Sequence, residues 1–211
     1  MLKVMEKEID LAASPILLED DFSNPFLSEN WDLEHSTGEW WVEDGWLTGR
    51  HRGNSGGLLY SKKGYPGNVL LDFEARTVPP CDNDLNFTWC SEGWDYHAND
   101  AGIGYIAGLN GWWEKKAGIE HYPECKMRST TTLFTLVPGQ TYHIQAGSID
   151  GLCFIFVDGK LVIEASDPDP IDSNRFNRVG FGTYASFIQY RNFKLRQISW
   201  KPVVMEYTVE F

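Results

Sequence analysis

Apolar positions in this chain repeat every second residue rather than every third or fourth. Over 68–77, Val69, Leu71, Phe73 and Ala75 fall on one face of an extended segment and Asp72, Glu74 and Arg76 on the other. Residues 152–157 and 160–164 flank Asp158-Gly159, a dipeptide that supplies the positive φ angles of a tight hairpin turn. Segments 179–184 and 187–198 read as two more strands, the second alternating Arg191, Phe193 and Leu195 against Asn192, Lys194 and Arg196. Further strands are predicted at 38–48, 58–61, 87–90, 102–107, 131–136 and 142–149. Pro- and Gly-containing turns at 65–68, 78–81 and 137–140 separate them. Leu2, Met5 and Ile9 give the one weak hint of helical spacing. Many short strands without helices predict an all-β fold, a two-sheet antiparallel β-sandwich of jelly-roll type. A chain of 211 residues fits one such domain, expected over 17–211 with 1–16 as an N-terminal extension.

One stretch departs from this alternation. Residues 93–125 crowd Trp94, Tyr96, Trp112, Trp113 and Tyr122 among Asp95, His97, Asn99, Asp100, Glu114, Lys115, Lys116, Glu120, His121 and Glu124. That is too many titratable groups for a core and too many flat rings for an empty surface. Such a mixture suits a sugar, whose C–H faces stack on indole while its hydroxyls find polar partners. Candidate acid/base groups are Glu120, His121 and Glu124, with Asp95 and His97 (and Asp100) near in sequence, because an aromatic pocket raises a carboxyl pKa by desolvation and His titrates near neutrality unaided. Strand alternation through 119–123 would place Glu120 and Tyr122 on one face and His121 on the other. Candidate ligand contacts are Trp94, Tyr96, Asn99, Trp112, Trp113, Lys115, Lys116 and Tyr122. Arg50 and Arg52, in the one basic glycine-rich loop, are added as clamps for an acidic sugar or an acidic neighbour.

Charge narrows the partners. The formal net charge is −12, which disfavours nucleic acid and an anionic membrane surface. Neutral or weakly charged glycans fit best. The first residues hold no apolar run long enough for a leader or a span, so the expected location is cytoplasmic. Cys81, Cys90, Cys125 and Cys153 form no zinc spacing, and reduced thiols are the simpler reading. No transition-metal site is expected.

Two groups of residues carry a family resemblance. Near the start stand Leu18-Glu-Asp-Asp-Phe22, Trp31 and Trp40-Trp-Val-Glu-Asp-Gly-Trp-Leu47; near the end stand Phe156-Val-Asp-Gly-Lys-Leu161, Arg178-Val-Gly-Phe-Gly182 and Tyr190-Arg-Asn-Phe-Lys194. Together they resemble the concanavalin A-like lectin/glucanase superfamily. Within it the chain is most similar to the uncharacterised bacterial YesU-like proteins, through Tyr122-Pro123-Glu124, and next to the 3-keto-disaccharide hydrolase-like sandwiches. The resemblance implies a concanavalin A-like jelly roll in a polysaccharide-processing setting. No cofactor is expected; the resemblance leaves room for a structural calcium ion as the alternative, for which Asp20, Asp21 and Asp44 are oxygen ligands of the right type. The Glu-x-Asp-x-(x)-Glu strand of family 16 glycoside hydrolases is missing. Asp72 and Glu74 read instead as part of a solvated face, and Asp167 and Asp169 as groups that bond their own turn. The segment 116–122 echoes the alginate-lyase strand, but its partner strands are absent.

Three readings follow. The protein binds and cleaves an oligosaccharide as a glycoside hydrolase, or less expectedly a polysaccharide lyase; it binds the oligosaccharide without cleaving it; or the aromatic stretch is a homodimer interface.

Overall fold

The computed structural model describes residues 2–51 and 56–203, with the side chain of Trp113 left out. Among them the strands are, in chain order, β1 (Leu2–Val4), β2 (Lys7–Ile9), β3 (Ile16–Asp20), β4 (Glu39–Glu43), β5 (Trp46–Arg50), β6 (Gly56–Tyr60), β7 (Val69–Thr77), β8 (Leu85–Ser91), β9 (Trp94–Asp95), β10 (Asp100–Ala101), β11 (Gly104–Trp112), β12 (Lys116–Tyr122), β13 (Arg128–Thr131), β14 (Tyr142–Ile149), β15 (Leu152–Val157), β16 (Lys160–Ser166), β17 (Arg178–Tyr184), β18 (Phe187–Gln197) and β19 (Trp200–Pro202). No described helix is long and apolar enough to cross a membrane.

Two antiparallel sheets form the sandwich. One has six strands in the order β13-β12-β11-β8-β17-β6; the other runs β16-β15-β14-β7-β18-β5-β4, with β3 also paired to β18. Alternation decides what lies between them. From β7 come Leu71, Phe73 and Ala75, from β8 Phe87 and Trp89, and from β17 Phe181, all buried in one cluster. Phe181 stacks on Tyr190 at 4.2 Å and meets Phe73 edge-on at 5.4 Å. Such offset and edge-on pairs add to simple apolar burial. Asp72, Glu74 and Arg76 point outward, where Arg191 binds Glu74 and Arg76 packs over Trp46.

Several local expectations change. The 38–48 segment is a hairpin, β4 and β5, because Asp44 and Gly45 take φ 51° and 74° and turn the chain. The middle strand expected at 131–136 lies earlier, at β13. In β18 the register shifts between Arg191 and Lys194, so Tyr190 and Phe193 both face the core while Arg191 turns outward. Leu2, Met5 and Ile9 are not helical: Met5 turns the chain between β1 and β2. These strands join β19, and Leu2, Val4 and Ile9 bury against Leu70, Phe154 and Phe156 on the outer face of the larger sheet. The extension is therefore a third layer over that sheet.

Candidate functional site

The outer face of the six-stranded sheet is built around a row of missing side chains. Register places Gly118 opposite Gly108, Gly108 opposite Asn86, and Asn86 opposite Gly182. Glycines on neighbouring strands leave a shallow bed where other sheets carry Cβ groups. Trp112 occupies part of it. The β11–β12 register shifts between Gly108 and Trp112, with Asn110 at φ 69°, and the indole folds back over the bed. A Cβ on Gly118 would stand 2.8 Å from Trp112 Cδ2, and one on Gly108 would stand 2.7 Å from Cζ3.

Asp84 and Asn86 occupy the adjacent part. A Cβ at Gly108 or Gly111 would come within 2.2 or 2.1 Å of Asp84 Oδ1, and one at Gly182 within 2.3 Å of Asn86 Oδ1. Asn86 donates Nδ2–H to Asp84 Oδ2 at 3.1 Å, while Asp84 Oδ1 and Asn86 Oδ1 have no protein partner. Asp84 is 3% exposed. Burial pushes its carboxyl up to about 7; the Asn86 bond pulls it down and the nearby Glu120 carboxylate pushes it further up.

The β9–β10 hairpin forms one wall. Trp94, Ile106 and Tyr122 pack on Leu58, Tyr60 and Ala101, and the Tyr122 hydroxyl donates to Asp100 Oδ2, tying the hairpin to β12. Burial first, and then Asp100, push the Tyr122 phenol above its usual pKa. On the same outward face Glu120 Oε2 accepts Arg128 Nε–H at 2.8 Å, and Arg128 Nη2 reaches Cys125 Sγ at 2.8 Å. Tyr184 and the Gly56–Gly57 backbone border the far end. The open groove measures about 770 Å³, within the size range of small-ligand sites.

Of the residues singled out in the sequence, Trp94, Asn99, Asp100, Trp112, Glu120 and Tyr122 line this groove. The other described candidates lie elsewhere. His121 follows the strand alternation inward: its Nδ1 lies 2.8 Å from Asp167 Oδ2, which also accepts the Tyr105 hydroxyl at 2.9 Å. Asp167 thus bonds its own turn, through Asp169 N–H, and a histidine across the sandwich as well. Asp95 accepts the backbone N–H groups of Ala98 and His97, which hold its carboxyl below the usual range, and His97 and Tyr96 are exposed on that turn. Glu124 pairs with Lys126, Lys115 with Asp82 and Lys116 with Glu114. Arg50 lies on the other sheet, bonded to Glu39 at 3.0 Å and stacked over Trp41. Trp113 begins a short 3-10 turn after β11. Arg52 lies outside the described residues.

Asp84, Asn86 and Arg128 escaped the sequence reading. Their signal was indirect: Gly108, Gly118 and Gly182 become a bed only when four strands are in register. Of the calcium candidates, Asp20 accepts Phe22 N–H, Asn30 Nδ2–H and Trp31 Nε1–H, Asp21 bonds Ser23 N–H, and Asp44 sits in the β4–β5 turn. Among the described residues no group of three His, Cys, Asp or Glu side chains is arranged to hold a metal ion.

No family model matches the chain, and no curated protein matches its sequence. Solved structures do share the fold. A carbohydrate-binding module, CBM66 from Bacillus subtilis, superposes with a TM-score of 0.58 at 15% identity, covering 79% of this chain and 95% of that one. A Bacillus subtilis protein of unknown function with a galectin-like fold gives 0.67 at 12% identity, over 90% and 99%. The exoplasmic/lumenal domain of VIP36, in a form bound to Ca2+ and Man3GlcNAc, gives 0.60 at 11%, over 95% and 92%. The chain thus shares the jelly-roll, galectin-like β-sandwich fold of these structures. At these identities the likeness concerns the fold.

Proposed function

We propose that the protein binds an oligosaccharide in the groove on the outer face of its six-stranded sheet. The observation that carries this reading is the pairing of aromatic walls with a polar floor. Trp94, Trp112, Tyr122 and Tyr184 offer ring faces or edges around Asp84, Asn86, Asp100 and Glu120. Asp84 and Asn86 each leave an acceptor oxygen open there, and a sugar ring brings several hydroxyl donors at once. The sugar-binding module and the Man3GlcNAc-bound domain among the structural neighbours support this choice over other polar ligands. We also propose the finer resemblance to YesU-like proteins, carried by the Tyr122-Pro123-Glu124 step, which includes the groove residue Tyr122.

Cleavage is a second reading with one observation in its favour. Asp84 retains its proton to about pH 7, while Glu120 is paired with Arg128, so two carboxyl groups of one groove differ in environment as an acid and its partner do.

Titration with neutral oligosaccharides, followed by calorimetry, tests the first reading. Trp112→Ala should weaken binding by about tenfold or more, the scale of one lost aromatic contact, whereas Trp41→Ala on the other sheet should leave affinity unchanged. Equal affinities in both variants would refute the groove. Assaying the same mixtures for new reducing ends decides between binding and cleavage.

A further inference from the structure

The groove's charges bear on which sugars it accepts. Among its described lining residues are three carboxyl side chains, Asp84, Asp100 and Glu120, and one cation, Arg128. That cation is already engaged, since its Nε binds Glu120 and its Nη2 lies against Cys125 Sγ. Recognition of a carboxylate or sulfate relies on a guanidinium that can offer its fork to the ligand. Here Nε meets a protein carboxylate and Nη2 a thiol instead. The whole chain, at −12, adds a field of the same sign. An independent feature marks the place as a ligand site: Asp84 Oδ1 and Asn86 Oδ1, on side chains more than nine-tenths buried that line the groove, lack any partner within the protein.

We propose that the groove is a charge filter, accepting neutral sugars and sugars bearing a free amine and rejecting uronates, sialates and sulfated glycans. This rests on the carbohydrate reading above and narrows it. An anionic ring in the groove would stand beside the Asp100 and Glu120 carboxylates, with Asp84 adding its charge above about pH 7, and among the described lining residues no cation is released to meet it. An ammonium group would meet those same carboxylates favourably. Asp100 contributes at the hairpin wall, where its two oxygens accept the Ala101 N–H and the Tyr122 hydroxyl, and Glu120 contributes by holding Arg128.

A glycan array tests the filter. It would carry neutral plant, fungal and animal oligosaccharides, deacetylated chitosan oligomers, and sulfated, sialylated and uronate-containing counterparts, probed with the full chain at low ionic strength. Every bound neutral glycan should outrank its anionic counterpart by at least tenfold, and deacetylated chitosan should bind no more weakly than its acetylated form. Glu120→Gln, which releases Arg128, should shrink the gap between neutral and anionic ligands; Asp100→Asn, on a surface hairpin, should shrink it without touching Arg128. Anionic glycans binding as well as their neutral counterparts would overturn the filter while leaving carbohydrate binding intact. An array with no bound glycan would remove the carbohydrate reading, and the filter with it.

Discussion

Glu120 and His121 are neighbours on β12, yet they belong to two different polar clusters. His121 faces inward, and Asp167 gathers His121 Nδ1, the Tyr105 hydroxyl and Asp169 N–H around one carboxylate. Glu120 faces outward, toward a groove where Asp84 and Asn86 keep buried oxygens without partners. Both clusters are buried and both contain carboxylates. The difference is closure. A buried polar network with its acceptors filled rigidifies a fold, whereas one left open is unfavourable until something else completes it. The inward cluster is a brace between β12 and the turn after β16; the outward one is a place for a ligand.

The largest expected effect breaks the brace. Asp167→Ala would strand His121, the Tyr105 hydroxyl and the Asp169 N–H without their common acceptor. Removing one partner from a buried charged network typically costs about 3–5 kcal/mol. Urea denaturation should show a loss of that order, while ligand affinity per folded molecule stays at the wild-type value. A loss below about 1 kcal/mol, the scale of one ordinary hydrogen bond, would mean the cluster is not a brace. Lost affinity in a stable variant would mean that the two clusters are not separate.

Much of this was written in the sequence, but unevenly. The inward and outward faces of β7, the Asp158-Gly159 hairpin and the sandwich itself follow from alternation and turn chemistry that a few adjacent residues carry. Alternation alone also separates Glu120 from His121. It failed where a bulge intervenes: Tyr190 and Phe193 are three apart and both buried, because one shifted register between them resets the phase of β18. The groove was legible only through its aromatic and charged rim, Trp94, Trp112, Glu120 and Tyr122. Its floor was not, since Asp84 and Asn86 lie before Gly108, Gly118 and Gly182 by tens of residues and meet them only across paired strands. Asp95, His97 and Glu124 have the residue types of acid/base chemistry, but in the fold they cap a turn, ride on it, or pair with a surface lysine.

A pH titration sharpens the comparison from the groove side. The folded chain holds the Asp84 proton to about pH 7, whereas the ordinary value is 3.8. Between those values the folded state binds more protons than the unfolded state. This group's contribution therefore makes stability fall as pH rises from about 4 to about 7, and it levels off above. The displacement corresponds to up to ~4 kcal/mol. Asp84→Asn keeps the size and removes the titration, so the variant should lose that downward slope and gain relative to wild type above pH 7. Parallel pH–stability curves for the two proteins would show that Asp84 ionises freely and that the groove floor is not an open network.

The smallest expected effect isolates the glycine bed. Gly118→Ala adds one methyl group that would stand 2.8 Å from Trp112 Cδ2 and 3.2 Å from Ser129 O. The strand itself tolerates alanine, so the backbone pairing of β12 should survive. The indole is what must give, and because Trp112 is only partly buried it can lift away at modest cost, about 1 kcal/mol at the low end of overpacking penalties. Lifting the ring changes the wall that a sugar would stack on. The expected signature is a small loss in urea stability together with roughly tenfold weaker ligand binding and altered Trp fluorescence. The same methyl group inserted on the inward face would show the opposite balance, a large stability loss and no change in affinity per folded molecule. If Gly118→Ala costs several kcal/mol and leaves binding untouched, the glycine row serves packing of the sandwich, and the contrast between the two faces of β12 falls.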